Sequence, residues 1–509
     1  MDAGLPIDYR EPARSAACGS CFDVHRQRRD DFVERPPNPI RLVVYWVGLA
    51  LVRAGLIDRE RARRTTDLAW PRIVTGLARM SKNAIDVAMV GIAIGTSAIT
   101  GVGFAASFWG IAFALGGGVA SGTIALVSQA YGADESGGQA VRSSVVLVLA
   151  LTIPVAALFW SLPTELIGLL SNDPTVVALG GDYLRVVGLG IPFAGLNLIG
   201  SRTLVGTDDA WTPMVIRAGG AVVNIALNAV LIFGVGLGVV GAAIGTVVAN
   251  VVVTTTFALG LTHGRVPFVG LFAVTLDPLG TYVDRDTIRQ LVEIGTPMIG
   301  KNLAWRLGEF PLLAIVDIFG TAVAAAFVIA LRVRDLMNTP GWGFSLASSS
   351  LVGQELGIGD EASAEAYGRD VMRFAVVVYF VSAGLVFVLA EPIALAFVGD
   401  PTAPALPITV TLIYATCIGI VFRGLSRTAS GPLRASGDTR WPFYGQVLGY
   451  AVAIPVAYLG AVTPLGLAGL GLAIVIEMVA PAIVNYYRFS TGKWKAISRS
   501  YRPAASAGD

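Results

Sequence analysis

Long apolar stretches alternate with short polar junctions along this chain from near Leu68 to Tyr487. A bilayer core about 30 Å thick takes roughly 20 apolar residues per helical span, because lipid offers no partner to exposed backbone groups. On that measure the pattern predicts spans near 70–94, 99–127, 141–162, 179–205, 211–233, 239–262, 288–319, 322–351, 367–390, 405–430, 441–462 and 467–488. The fold class expected is an all-α membrane protein of twelve transmembrane helices. Composition agrees: 54% of residues are hydrophobic and 14% charged, against about 25% charged in soluble domains.

Charge then orients the spans. The junctions 95–100, 234–240, 320–323, 390–405 and 462–467 hold no Lys or Arg, whereas the alternate ones carry Arg142, Arg202, His263, Arg265, Arg285, Arg289, Arg369, Arg434 and Arg440. With Lys493, Lys495, Arg499 and Arg502 in the tail, the positive-inside rule predicts an even number of spans and both termini in the cytoplasm of a cell membrane. Residues 1–66 read as a cytoplasmic extension and not a signal peptide, since no apolar core follows Met1. Within it, the stretch 40–57 is apolar but interrupted by Arg41 and Arg53, which predicts an interfacial helix and not a thirteenth span. Cys18, Cys21 and His25 fall short of the four ligands of a structural zinc site, so no metal is expected there.

The sequence repeats at a spacing of about 228 residues. Val127-Ser-Gln129-Ala-Tyr-Gly132 answers Val352-Gly-Gln354-Glu-Leu-Gly357, Asp173-Pro-Thr175 answers Asp400-Pro-Thr402, Asp208 with Trp211 answers Asp438 with Trp441, and Gly238 to Gly241 answers Gly466 to Gly469. Six spans per half start both halves on the same side, which predicts two six-helix lobes related by a pseudo-two-fold axis along the membrane normal, a transporter signature. The expected domains are an N-lobe at 67–265, an inter-lobe linker at 266–287, a C-lobe at 288–490 and a tail at 491–509.

Asn83-Ala-Ile-Asp86-Val-Ala-Met-Val-Gly91, Gly132-Ala-Asp134, the run from Pro340 to Gln354, Leu433-Arg-Ala-Ser-Gly-Asp438-Thr-Arg-Trp-Pro442 and Gly492-Lys-Trp494 together resemble the multidrug and toxic compound extrusion (MATE) family over about residues 66–496, most closely its DinF-like prokaryotic branch. The resemblance implies a V of two lobes that exports small organic, often cationic, compounds by alternating access in exchange for H+ or Na+. The same superfamily contains lipid-linked oligosaccharide flippases, which supply the alternative function.

An ionised side chain inside the bilayer costs at least about 2.5 kcal/mol, so intramembrane acids are functional candidates. Asp86 stands about one and a half turns before the outer end of its span, and Asn228 is at matching depth in the fifth, with Asn224 on the same helix face. Thr246 reaches that depth from the sixth span. The expected ion-coupling site is therefore Asp86, Asn224, Asn228 and Thr246, which suits a proton on the carboxylate or a sodium ion held by oxygens. The family resemblance points to Asp86, Asn224 and Thr246 too, but many relatives have an acid where this chain has Asn228. Two structural alternatives compete: an Asn224–Asn228 hydrogen-bond pair, and a salt bridge from Asp86 to Lys82 one turn away.

In the second half, spacing pairs Arg306 with Glu309 and Arg332 with Asp335 at i, i+3, as self-neutralising groups facing the cavity. Sodium-driven relatives of the NorM type are expected to carry acids on the seventh and tenth spans; Glu309 suits the former, but the tenth offers Arg423 and Arg427. Glu477 is a candidate cavity acid favouring cations. Gly295 to Asn302 nearly spells a phosphate loop, but Asn302 stands where Ser or Thr must hold magnesium. His25 and His263 both lie outside the spans, so no enzyme is expected. The partners expected are small-molecule organic substrates and the lipid bilayer, with no nucleic acid, no cofactor beyond the coupling ion, and a monomeric state.

Overall fold

The computed structural model describes residues 39–501, apart from 268, 273 and 399; the Cys18, Cys21 and His25 group lies outside them. Among the described residues, eight helices are apolar and long enough to cross a bilayer unaided: α3 (Thr96–Gly132), α4 (Gly138–Ser161), α8 (Trp211–Ala229, prolonged by a π turn over Val230–Gly234), α9 (Gly238–His263), α13 (Glu361–Val388), α15 (Ala405–Ala435), α16 (Arg440–Val462) and α17 (Gly466–Ser490). A ninth span is the bent pair α6 (Pro174–Gly188) and α7 (Ile191–Gly206), which meet at 49°. The remaining expected spans are filled by α2 (Arg59–Ile94), α10 (Arg285–Ile318) and the broken pair α11 (Thr321–Met337) and α12 (Thr339–Ile358). Charged residues keep α2 and α10 less apolar than the others, α11 is only 17 residues long, and α12 is rich in Gly and Ser.

The break in the eighth span has a local cause. Pro340 in the first turn of α12 has no N–H to donate to the Leu336 carbonyl four residues back, and beside the break the Asn338 carbonyl accepts from the Tyr379 hydroxyl at 3.2 Å. Hydropathy alone cannot show such a break. It also missed two short helices, α5 (Pro163–Gly168) and α14 (Ala390–Val398), which occupy equivalent places in the two halves. Between the halves, Arg265–Val266 pairs antiparallel with Gly270–Leu271.

The repeat is reproduced in atomic detail. Asp173 accepts from the Thr175 backbone N–H at 2.8 Å to cap α6, and Asp400 accepts from that of Thr402 at the same distance. Gln129 on α3 donates to the Ala435 carbonyl at the end of α15 (2.5 Å), while Gln354 on α12 donates to the Gly206 carbonyl at the end of α7 (3.2 Å). Each half thus hands a side-chain amide to the helix terminus of the other. The backbones touch beside these bonds: a Cβ on Gly132 would lie 1.9 Å from the Gln354 carbonyl oxygen, and one on Gly357 would lie 2.0 Å from that of Gln129.

The hydrogen bonds from Arg64, Gln129, Ser350 and Gln354 that join the halves fall in the arginine-rich half of the molecule, whereas α11 packs on α15 and its own neighbours. The lobes therefore form a V closed at the charged end. Gly132→Leu should force this junction apart, because the obstacle is backbone and not a movable side chain. Cysteines placed at the charged ends of α3 and α12 should label at least about tenfold faster in that variant than in the parent background, the sign of an interface opened by overpacking.

The N-terminal segment reinforces the closure. Helix α1 (Pro39–Arg53) overlaps the stretch where sequence predicts an interfacial helix, and buries Val44, Gly48 and Leu51 while leaving Val43 and Trp46 exposed. Gly48 rests on Phe374 of α13 in the other half. Asp58 caps α2, and the backbone N–H of Arg61 leads the interactions that hold its carboxyl below the usual range. Beyond the cap, Arg61 meets Asp370 at 2.5 Å, and Arg64 donates to the Tyr367 hydroxyl at 2.9 Å and to Gln354 at 2.5 Å.

Candidate functional site

The four expected N-lobe residues come together. Asp86 on α2 accepts from the Asn228 amide of α8 at 2.8 Å; the same amide group lies 3.4 Å from Asn224 Oδ1. Asn224 donates to the Thr246 hydroxyl of α9 at 3.2 Å, and Thr246 donates to the Ala242 carbonyl at 3.0 Å. Tyr183 on α6, absent from the sequence reading, lies beside Thr246 at the end of this chain. Both asparagines are fully buried. Gly245 leaves the space for Asn228, since a Cβ there would fall 2.0 Å from its Oδ1. The two alternatives weighed on sequence are present as well: the Asn224–Asn228 contact, and Lys82 Nζ at 2.6 Å from Asp86 Oδ2. Asp86 is thus shared between an ammonium on its own helix and an amide on another.

The second half corrects the expected pairings. Glu309 does not pair with Arg306, nor Asp335 with Arg332; both acids go to Arg334, at 2.5 and 3.1 Å. Helical spacing favours the i, i+3 partners, but Arg334 is buried and takes its acids from two helices, leaving Arg332 exposed and Arg306 lying 5.1 Å from the Trp305 ring centroid. Glu477 is likewise no free cavity acid. It is 2% exposed, ion-paired with Arg423, and accepts from Gln446 at 3.4 Å.

With those acids taken, a group of cations is left. Arg72 and Arg79 on α2, Arg202 on α7, Arg217 on α8, and Arg427 and Arg434 on α15 form no ion pair among the described residues. Their charges act on one another: Arg72 lies within electrostatic reach of Arg217, Arg202 and Arg79, Arg202 of Arg217, Arg434 and Arg79, and Arg434 of Arg427. Buried Lys301 faces Arg427, Arg434 and Arg423. Trp342 on α12 sits in the middle, with the guanidinium carbons of Arg79, Arg72 and Arg427 at 4.8, 5.5 and 5.7 Å from its ring centroid. Polar atoms of Arg72, Arg202, Arg217 and Arg434 are buried without a hydrogen-bond partner. Each such cation costs about 2.5–3.5 kcal/mol at a helix centre in a bilayer, and Arg stays charged in proteins.

Sequence reasoning counted Arg202 and Arg434 among the charges of the cytoplasmic junctions; in the structure Arg434 is buried and one guanidinium nitrogen of each is enclosed without a partner. A signal for the cluster was present in the spacing. Arg72 and Arg79 are seven apart, and Arg423, Arg427 and Arg434 lie at intervals of four and seven, so each set lines one face of its helix.

The MatE family model matches residues 71–230 and 297–459. Among curated proteins, the multidrug resistance protein PmpM of Pseudomonas aeruginosa is 28% identical over 88% of this chain and 95% of its own. The probable multidrug resistance protein YoeA of Bacillus subtilis is 24% identical over 84% and 94%. Among solved structures, an outward-facing multidrug resistance MATE transporter of the MOP superfamily superposes with a TM-score of 0.75 at 22% identity, covering 86% of this chain and 96% of that one. A MOP superfamily transporter from Pyrococcus furiosus gives 0.78 at 20% identity over 91% and 99%, and its reverse-polarity binding pocket is described as suggesting a different function.

Proposed function

The chain belongs to the MatE family, and from that premise we propose that it is a secondary active exporter of small organic molecules, driven by an ion entering at Asp86. It is a multi-pass membrane protein and not an enzyme. We place the arginine-rich end, and with it both termini, in the cytoplasm, so that the V opens outward. The DinF-like branch is the finer assignment we propose, on the position of its acid in the first half.

Asp86 carries this reading, because one carboxylate joins Lys82 to a buried amide chain running from α8 to α9. An entering cation competes with both partners for the same oxygens. A ligand shifts a conformational equilibrium only through unequal affinity for its states, and here ion binding loosens α2 from α8 while the charged end holds the halves together. The groups turned toward Asp86 are N–H donors, whereas a sodium ion needs oxygens, and this favours a proton as the coupling ion.

Reconstituted vesicles with pH and sodium gradients imposed separately test the proposal. A panel of fluorescent organic compounds should be moved when the pH gradient is present and should stop when it is collapsed. Movement sustained by a sodium gradient alone would reassign the ion, and currents without cargo would replace the exporter by a channel.

A further inference from the structure

We propose that the cleft between the lobes binds a multiply charged organic anion, of the class carrying a phosphate ester or diphosphate head. Its ligands are Arg72, Arg79, Arg202 and Arg217 on one side and Arg427 and Arg434 on the other. The inference names the cargo class of the exporter proposed above and rests on that reading only for the cleft being a transport path. The family resemblance leads one to expect cargo that is often cationic; the charge in this cleft has the opposite sign for that role.

Six guanidinium groups converge from four helices without a carboxylate in ion-pair reach among the described residues. A structural role would call for acids, and the acids nearby are already committed to Lys82, Arg334 and Arg423. A single carboxylate would leave most of the cluster uncompensated, whereas a phosphate or diphosphate presents several oxygens to planar guanidinium forks, the geometry these groups match best. Buried nitrogens of Arg72, Arg202, Arg217 and Arg434 lack partners, so donors stand ready. Trp342 places an aromatic face among the guanidinium groups of both halves. An anion bound there would bridge α2 of the first half to α15 of the second, so its arrival and departure are coupled to the angle of the V.

The test uses the full chain purified in detergent, with melting temperature followed during titration with farnesyl diphosphate, uridine diphosphate and ethidium. A ligand that binds only the folded state raises that temperature by mass action. Stabilisation by farnesyl diphosphate alone points to a lipid-borne head, by uridine diphosphate alone to a soluble one, and by both to the head itself; each outcome sustains the proposal. Arg79→Gln and Arg427→Gln should each weaken diphosphate binding about tenfold, the size of one lost charge-assisted hydrogen bond. They should also raise the melting temperature of the unliganded protein, because an uncompensated charge is removed; a purely structural arginine would lower it. Arg369→Gln, at an exposed cation outside the cleft, should leave binding unchanged. Stabilisation by ethidium and not by either diphosphate would overturn the proposal, as would diphosphate binding unaltered in Arg79→Gln and Arg427→Gln. Gradient-driven ethidium export with no diphosphate binding would defeat this inference and keep the exporter reading, whereas diphosphate binding without gradient-driven movement would do the reverse.

Discussion

Asp86→Asn is expected to bring gradient-driven export down to the level of protein-free vesicles, with membrane insertion and folding intact. Asparagine preserves the shape of the side chain and an oxygen that can still accept from the Asn228 amide. What it loses is the ability to take up and release a proton and to bind the Lys82 ammonium. Driving a two-state equilibrium from one side to the other takes about 5.5 kcal/mol of unequal binding, so removing the ion's only carboxylate in this network should cost at least about two orders of magnitude in rate. The competing explanation is that Asp86 merely neutralises Lys82. Under that explanation the double variant Lys82→Gln with Asp86→Asn would regain export, since no charge is left to neutralise. Under the coupling mechanism it stays inactive, and uptake assays in the same vesicles distinguish the two.

The second large effect concerns stability. Glu477→Ala removes the partner of Arg423, both side chains being about 5% exposed or less. Stranding one member of a buried ion pair typically costs about 3–5 kcal/mol, far more than the intact pair contributes. Arg334 and Arg427 lie close enough to act on the same acid or on Arg423, so the loss is not shared out but aggravated. Thermal unfolding in detergent should show a large fall in midpoint for Glu477→Ala. The paired change Arg423→Met with Glu477→Leu should restore most of it, since apolar residues of similar volume fill the site without a charge. Equal destabilisation by the single and the paired changes would show that Glu477 holds the C-lobe through some contact other than its ion pair.

Much of the architecture was legible because a bilayer imposes a strict length on apolar runs. The repeat was legible because duplicated turns and caps keep their residues: Gln129 and Gln354 were matched as letters and prove to make equivalent bonds. Asp86 and Asn228 met because two helices crossing the same slab bring equal depths together. The failures have a common origin in tertiary choice. Spacing can say that Arg306 is within reach of Glu309, but not that Arg334 from a neighbouring helix will be closer and more deeply buried. The positive-inside rule counts charges near span ends, so Arg202 and Arg434 were read only as junction charges, although a guanidinium nitrogen of each is enclosed in the protein. A sum over junctions carries no information about helix rotation.

The reciprocal amides of Gln129 and Gln354 bear on how the transporter avoids leaking. Because each lobe grips the other through an equivalent latch at the same end, tilting one lobe strains both latches together. A half-released state would keep the crowded backbone contact while forfeiting one bond, and gains nothing in exchange. Opening at the charged end is therefore expected to be all-or-none, which denies ions an intermediate through which to slip unaccompanied.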